Sequence, residues 1–182
     1  MKIIPTPIPG CFEIIPEIFK DKRGSFVKTF SRDMYVESGL EYKFTEEYYS
    51  ISKKNVLRGM HFQSPPSEHA KVVYCVEGSV WDVVIDIRKG SPTFARHFNT
   101  KLSDEDGKIL YIPSGLAHGF FTLSETAIMV YKTTSQYDQA KDMGVLWSSF
   151  GIDWPAEEPL MSDRDRSFLK FSEFKSPFVF EK

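Results

Sequence analysis

The chain is poor in cysteine, in long apolar runs and in net charge, and each shortage removes a class of function. Cys11 and Cys75 are the only cysteines among 182 residues, so no disulfide framework organises the fold. Cys75 lies within Val72-Val73-Tyr74-Cys75-Val76, where a thiol most often acts as a small buried hydrophobe. No stretch approaches the roughly 20 apolar residues of a spanning helix. Pro5, Pro7 and Pro9 interrupt the N-terminus before a segment of signal length forms. A cytoplasmic protein with no membrane partner is expected. Lys and Arg total 23 against 25 Asp and Glu, a formal net charge of -2 that generates no field for gathering polyanions. No nucleic-acid partner is therefore expected.

Helical periodicity is also scarce. Apolar and polar residues alternate over short runs bounded by Gly, Pro, Asn, Asp and Ser, which is the signature of strands. The pattern predicts strands over 25–30, 48–52, 56–63, 71–77, 79–88, 96–101, 108–112, 119–122 and 127–133, and with them an antiparallel sandwich or barrel. Glu77-Gly78-Ser79 reads as a tight hairpin turn. Beyond Thr133 the alternation fades, and Ser162-Asp163-Arg164-Asp165 resembles a capped helix start, so a short mixed α or irregular appendage is expected. The length and the aromatic content, 16 Phe, 8 Tyr and 3 Trp, suit one domain over residues 1–182.

One motif is specific enough to name a fold. Gly107, five residues, then Pro113-Ser114-Gly115-Leu116-Ala117-His118 fits the second cupin motif, a jelly-roll signature. Gly107 starts a strand, Pro113 and Gly115 turn the chain, and His118 enters the barrel interior. The first cupin motif ordinarily supplies His-x-His and a later Glu to a metal. Here that segment reads Arg58-Gly59-Met60-His61-Phe62-Gln63, and the next histidine, His69, follows eight residues later rather than two. A catalytic metal needs about three protein ligands, and Lys71 puts a cation where a metal would stand. Neither metal nor cofactor is expected.

These residues resemble the dTDP-4-dehydrorhamnose 3,5-epimerases. The resemblance runs through Asp21-Lys22-Arg23-Gly24-Ser25-Phe26, Val56 to Gln63, Val80 to Arg88, Ile112 to Phe120, Tyr131-Lys132-Thr133-Thr134, Gly151 to Pro155 and Leu160 to Asp165. It implies a homodimer of cupins in which the N-terminal strand of one protomer contributes to its neighbour's site, with a nucleotide sugar as substrate. It further implies His61 as catalytic base, Asp165 as its partner, Tyr131 as acid and Lys71 at the developing O4 charge. Arg58 and His118 would approach the sugar and pyrophosphate, Arg23 and Arg164 the phosphates, and Phe26 and Tyr137 would wall the base. Asp142 stands where the family often has Glu.

The chemistry is consistent with the residue types. A 4-keto group acidifies the hydrogens at C3 and C5, so inversion needs a base on one face, an acid on the other and support for an enolate. An imidazole is a base at neutral pH when a carboxylate holds its tautomer. It is too weak to deprotonate a ketone unaided, which gives Lys71 its task. A phenol, ordinarily near pKa 10, still carries its proton where a carboxylic acid has lost it.

Plainer readings stand beside these. A lone histidine in a strand is more often structural than catalytic; Tyr131 fits a core aromatic, Asp165 a helix cap and Arg23 a surface turn. His69 and His97 read as surface residues. Two departures touch recognition: Lys28 occupies a family Glu position, and Glu46-Glu47-Tyr48 replaces Gln-Asp-Asn. They leave open a CDP- or GDP-linked sugar and inversion at one centre or ketoisomerisation. A non-catalytic nucleotide-sugar-binding cupin and a metal-dependent oxygenase are more distant alternatives.

Overall fold

The computed structural model describes residues 1–181. Its strands are β1 Lys2–Pro5, β2 Phe12–Ile15, β3 Ile18–Asp21, β4 Gly24–Val27, β5 Glu46–Lys53, β6 Leu57–Gln63 and β7 Lys71–Glu77. They continue as β8 Ser79–Asp86, β9 His97–Ser103, β10 Ile109–Ile112, β11 Leu116–Thr122, β12 Thr126–Thr133 and β13 Asp142–Gly144. Two short helices, α1 Arg32–Glu37 and α2 Asp163–Arg166, complete the frame. A six-stranded sheet in the order β1-β2-β10-β7-β12-β5 faces a five-stranded sheet in the order β13-β6-β11-β8-β9, and β3 and β4 form a separate hairpin. All pairings within the sheets are antiparallel. This is the all-β jelly roll that the cupin motif implied.

The strand pattern explains the layering. β8 turns Val80 and Val84 towards the opposing sheet and Val83 and Ile85 outwards, and all four are fully buried. Both faces of this sheet are therefore covered, which is why β8 reads as nearly continuous apolar sequence. The inner face packs Val73, Leu110, Ile112 and Met129 of the other sheet. The outer face is roofed by the C-terminal segment, through Phe150, Trp154, Phe171, Phe174 and Phe178. The irregular appendage expected from sequence is thus the second wall of a hydrophobic layer. On the other side, α1 inserts Tyr35 against Tyr74, Ile109 and Tyr111.

One expectation is corrected. Glu77-Gly78-Ser79 is not a hairpin, because β7 and β8 belong to different sheets. Gly78 is instead a corner at φ 77, where a Cβ would stand 2.1 Å from the Thr126 carbonyl oxygen. Strands β1, β2, β3 and β13 and helix α1 lie in segments where Pro or charge breaks up the alternation. They form because each has a partner: β1 and β2 extend the sheet beyond β10, β3 pairs with β4, β13 pairs with β6, and α1 packs through Tyr35.

Candidate active site

A cavity of about 480 Å³ opens between the two sheets. The six-stranded sheet contributes Ser50, Lys71 and Tyr131, while β6 and β11 of the other contribute Arg58, His61 and His118. His61 and His118 are direct partners in the β6–β11 pairing. That pairing is close because Gly59, at φ 146, lies against Gly119; a Cβ at Gly59 would come within 2.6 Å of the Gly119 Cα.

His61 meets Asp165 from α2 at 2.9 Å between Nε2 and Oδ1. The Gly59 amide donates to the other carboxylate oxygen at 3.1 Å. The helix is set by the expected cap, since the Asp165 amide donates to the Ser162 hydroxyl at 3.1 Å. Asp165 is therefore both inside a capped turn and the anchor of His61. Burial pushes its carboxyl up, but the hydrogen bond and charge of His61, the Gly59 amide and Ser162 outweigh burial and hold it below the usual carboxylate range. An ionised carboxylate accepts from Nε2–H and leaves Nδ1 of the neutral ring unprotonated.

Across the cavity, the Tyr131 hydroxyl is 3.1 Å from Ser50 Oγ. Burial, followed by the charges of Asp82 and Tyr48, pushes the phenol well above its ordinary value despite the Ser50 hydrogen bond. It remains a proton donor at any physiological pH. Lys71, paired with Thr133 in the β7–β12 register, lines the same cavity as Tyr131 and is 7% exposed. Burial lowers its ammonium to about 8, with the Asp142 and Asp82 carboxylates opposing the fall. At neutral pH the cavity thus holds an ammonium whose water shell has largely been stripped away.

His118 is 4% exposed, and its Nε2 lies 3.0 and 2.9 Å from the two carboxylate oxygens of the fully buried Asp82. Burial pushes Asp82 up and His118 down, and the charge and hydrogen bond of each partner oppose the shift. The His118 ring meets Tyr131 edge-on at 6.4 Å. Asp82 escaped the sequence reading, although a carboxylate on the inward row of an apolar strand, between Val80 and Val84, was a legible signal. Ser50 escaped it because β5 carries no chemical motif there, and Tyr48 entered it only as a departure from the family pattern.

The remaining expected residues divide by location. Arg58 lines the cavity and donates to Ser52 Oγ at 3.0 Å and to the Ile51 carbonyl at 3.2 Å. Tyr137 and Asp142 lie at the mouth, where the Tyr137 hydroxyl donates to Asp142 Oδ2 at 3.2 Å. Arg164 pairs with the same carboxylate at 2.8 Å and borders a smaller depression behind His61 and Asp165. Arg23 and Phe26 are outside the cavity of their own chain, on the exposed β3–β4 hairpin. Arg23 is paired with Asp21, and Phe26, 63% exposed, rests on Phe19. His69 is not a surface residue. It lines the cavity, its Nδ1 is 3.2 Å from Gln63 Nε2, and burial lowers its pKa to about 3, leaving it neutral. Among the described residues no group of three or more His, Cys, Asp or Glu is arranged to hold a metal, and no helix is long and apolar enough to cross a membrane.

The family model described as dTDP-4-dehydrorhamnose 3,5-epimerase matches residues 5–173. A dTDP-4-dehydrorhamnose 3,5-epimerase of Shigella flexneri is 43% identical over 174 residues, covering 94% of this chain and 96% of the relative. A dTDP-4-dehydrorhamnose 3-epimerase of Streptomyces niveus is 38% identical, covering 95% of this chain and 85% of the relative. Among solved structures, dTDP-6-deoxy-D-glucose-3,5-epimerase from Legionella pneumophila in complex with dTDP-4-keto-L-rhamnose superposes with a TM-score of 0.95. It is 34% identical and covers 100% of this chain and 99% of that one.

Proposed function

The chain belongs to the dTDP-4-dehydrorhamnose 3,5-epimerase family, and on that premise we propose how its cavity inverts C3 and C5 of dTDP-4-dehydro-6-deoxyglucose to yield dTDP-4-dehydrorhamnose. His61 Nδ1 removes the proton from one carbon next to the ketone, the C–H electrons move into the enolate, and the imidazolium is held by Asp165. Lys71 stabilises the charge at O4, in a site where little water competes with it. The Tyr131 hydroxyl then delivers its proton to the opposite face, and solvent restores both groups. The same cycle serves the second carbon.

The observation that carries this reading is the arrangement of base and acid. His61, anchored by a carboxylate, belongs to one sheet, while Tyr131, a phenol held neutral, belongs to the other. A sugar lying between the sheets presents one face to each. Binding alone has no need of such a pair.

The recognition half of the proposal assigns Arg58 and His118 to the sugar and pyrophosphate, with Tyr137, Asp142 and Arg164 at the mouth. Arg23 and Phe26 act in the site of a second copy, making the enzyme a homodimer with exchanged N-terminal strands. Their exposure on a hairpin outside their own cavity favours that role. The whole of residues 1–182 acts as one domain in this reading. A cytoplasmic location suits the two unpaired, buried cysteines. A second reading, inversion at one carbon, is favoured by the similarity to the Streptomyces niveus 3-epimerase.

The test is incubation with dTDP-, CDP- and GDP-linked 4-keto-6-deoxyglucose in D2O. The proposal expects deuterium at both C3 and C5 of the dTDP sugar. Label at one carbon favours the second reading, and preferred turnover of another nucleotide overturns the thymidine assignment. His61→Ala and Tyr131→Phe must both impair inversion; normal turnover in both overturns the catalytic assignment.

A further inference from the structure

β5 is the edge strand of its sheet, and Glu46, Tyr48 and Ser50 on one row of it line the cavity. Two of these residues meet Tyr131. In the β5–β12 register Tyr48 is the direct partner of Tyr131. The two rings lie 13° from parallel with centroids 4.8 Å apart, while Ser50 holds the hydroxyl. His118 touches the same ring edge-on. Ser50 restrains one atom and can rotate with it. A ring laid flat on another restrains the plane, which sets where the phenol proton points.

We propose that Tyr48 is a positioning residue for the proton donor: by stacking on Tyr131 it holds the hydroxyl over the sugar face opposite His61, so that the enolate is protonated with inversion. This rests on the assignment of Tyr131 as that donor. The role lies in the Tyr48 ring and not in its hydroxyl, which Tyr48→Phe removes while keeping the stack.

The enolate has two fates. His61 can return a proton to the face it came from, restoring the starting configuration; in D2O the imidazolium exchanges first, so the carbon gains deuterium with retention. Alternatively Tyr131 gives up its O–H proton to the other face, a C–H bond forms with inversion, and the resulting phenolate takes a proton from solvent. Both fates share the deprotonation, the Lys71 contact and the bound sugar. Their ratio reports only how well each proton source is aimed.

The experiment is NMR measurement, in D2O with dTDP-4-keto-6-deoxyglucose, of deuterium gained with retention relative to inversion. It compares the wild type with Tyr48→Phe, Tyr48→Leu, Tyr48→Ala and Tyr131→Phe. The ratio is internal to each sample and does not depend on the fraction of folded enzyme. Tyr48→Leu keeps apolar volume on β5 in case Tyr48→Ala fails to fold. Tyr131→Phe should raise the ratio most. Tyr48→Phe keeps the stack and should keep the ratio, while Tyr48→Leu and Tyr48→Ala should raise it about two- to tenfold, the rate equivalent of an aromatic pair. A wild-type ratio in Tyr48→Leu and Tyr48→Ala, with a raised ratio in Tyr131→Phe, overturns the role of Tyr48 and leaves the donor assignment standing. Full inversion by Tyr131→Phe removes the donor assignment and this proposal with it.

Discussion

Asp165 serves His61 and the backbone at once: one carboxylate oxygen lies 2.9 Å from His61 Nε2 and the other accepts the Gly59 amide at 3.1 Å. Two N–H donors therefore compete for one side chain, which only a carboxylate satisfies on both sides. In Asp165→Asn the carbonyl oxygen can serve one of them. If it stays with the buried Gly59 amide, the amide nitrogen donates to His61 Nε2 and forces the ring proton onto Nδ1, the atom proposed to act as base.

Asp165→Asn should accordingly lower kcat by about 10²- to 10³-fold, within the usual contribution of a positioned base, with little change in KM. Steady-state kinetics check this. A loss confined to KM would show that the pair binds substrate and does not move protons.

Lys71 links activity to stability with opposite signs. Its ammonium titrates near 8 in the fold against about 10.4 in an unfolded chain. The unfolded state therefore binds more protons between these values, and stability rises with pH across that window. The charge proposed to stabilise the oxyanion is lost over the same range, so kcat/KM should fall as pH rises through about 8. Lys71→Met should abolish that limb, lower kcat by about 10²- to 10³-fold and raise the denaturation midpoint. The penalty relieved is on the order of 2–4 kcal/mol. Urea unfolding at pH 7 checks the second half; a destabilised Lys71→Met would show that the cation is well compensated.

Much of this frame was legible from sequence, and unevenly so. The β8 and β11 strands announce themselves because they are apolar on both faces, and Pro113-Ser114-Gly115 places His118 by turn chemistry alone. β1, β2 and β13 were not legible, since their pairing depends on remote partners and not on their own pattern. In the site, His61 and Lys71 stood out as odd residues in strands. Asp82 was missed because its meaning comes from His118, 36 residues away in sequence. Tyr48 was seen only as a departure from a family pattern; its contact with Tyr131 requires the β5–β12 register.

The stability of the fold has a separate polar anchor. Asp86 is fully buried and accepts from the Arg88 guanidinium, the Arg88 amide and the hydroxyls of Ser91 and Thr93. Burial pushes the carboxyl up, but these donors outweigh it and leave it below the usual range. Its contribution is therefore full above the ordinary carboxylate value of about 3.9 and is lost as pH falls through the lower folded value. Asp86→Ala strands a buried guanidinium and should cost about 3–5 kcal/mol at pH 7, with a smaller difference from wild type in strong acid. Denaturant titrations at two pH values check both statements.

Arg23 offers a test of the proposed dimer that needs no structure of the complex. It is paired with Asp21 on an exposed hairpin, outside the cavity that contains His61 of the same chain. If Arg23 serves the other protomer, a site is built from His61 of one chain and Arg23 of its partner. Arg23→Ala and His61→Ala homodimers should each be weak, the first through KM and the second through kcat. Mixed dimers then contain one site with both substitutions and one with neither, so co-refolding the two variants should restore activity towards half the wild-type value per heterodimer. The double variant Arg23→Ala/His61→Ala, refolded with wild type, distributes its defects differently: each mixed site then carries one substitution. Recovery in the first mixture and not in the second requires Arg23 to act across the interface. No recovery in the first heterodimer, with half the wild-type activity in the second, would confine Arg23 to its own chain.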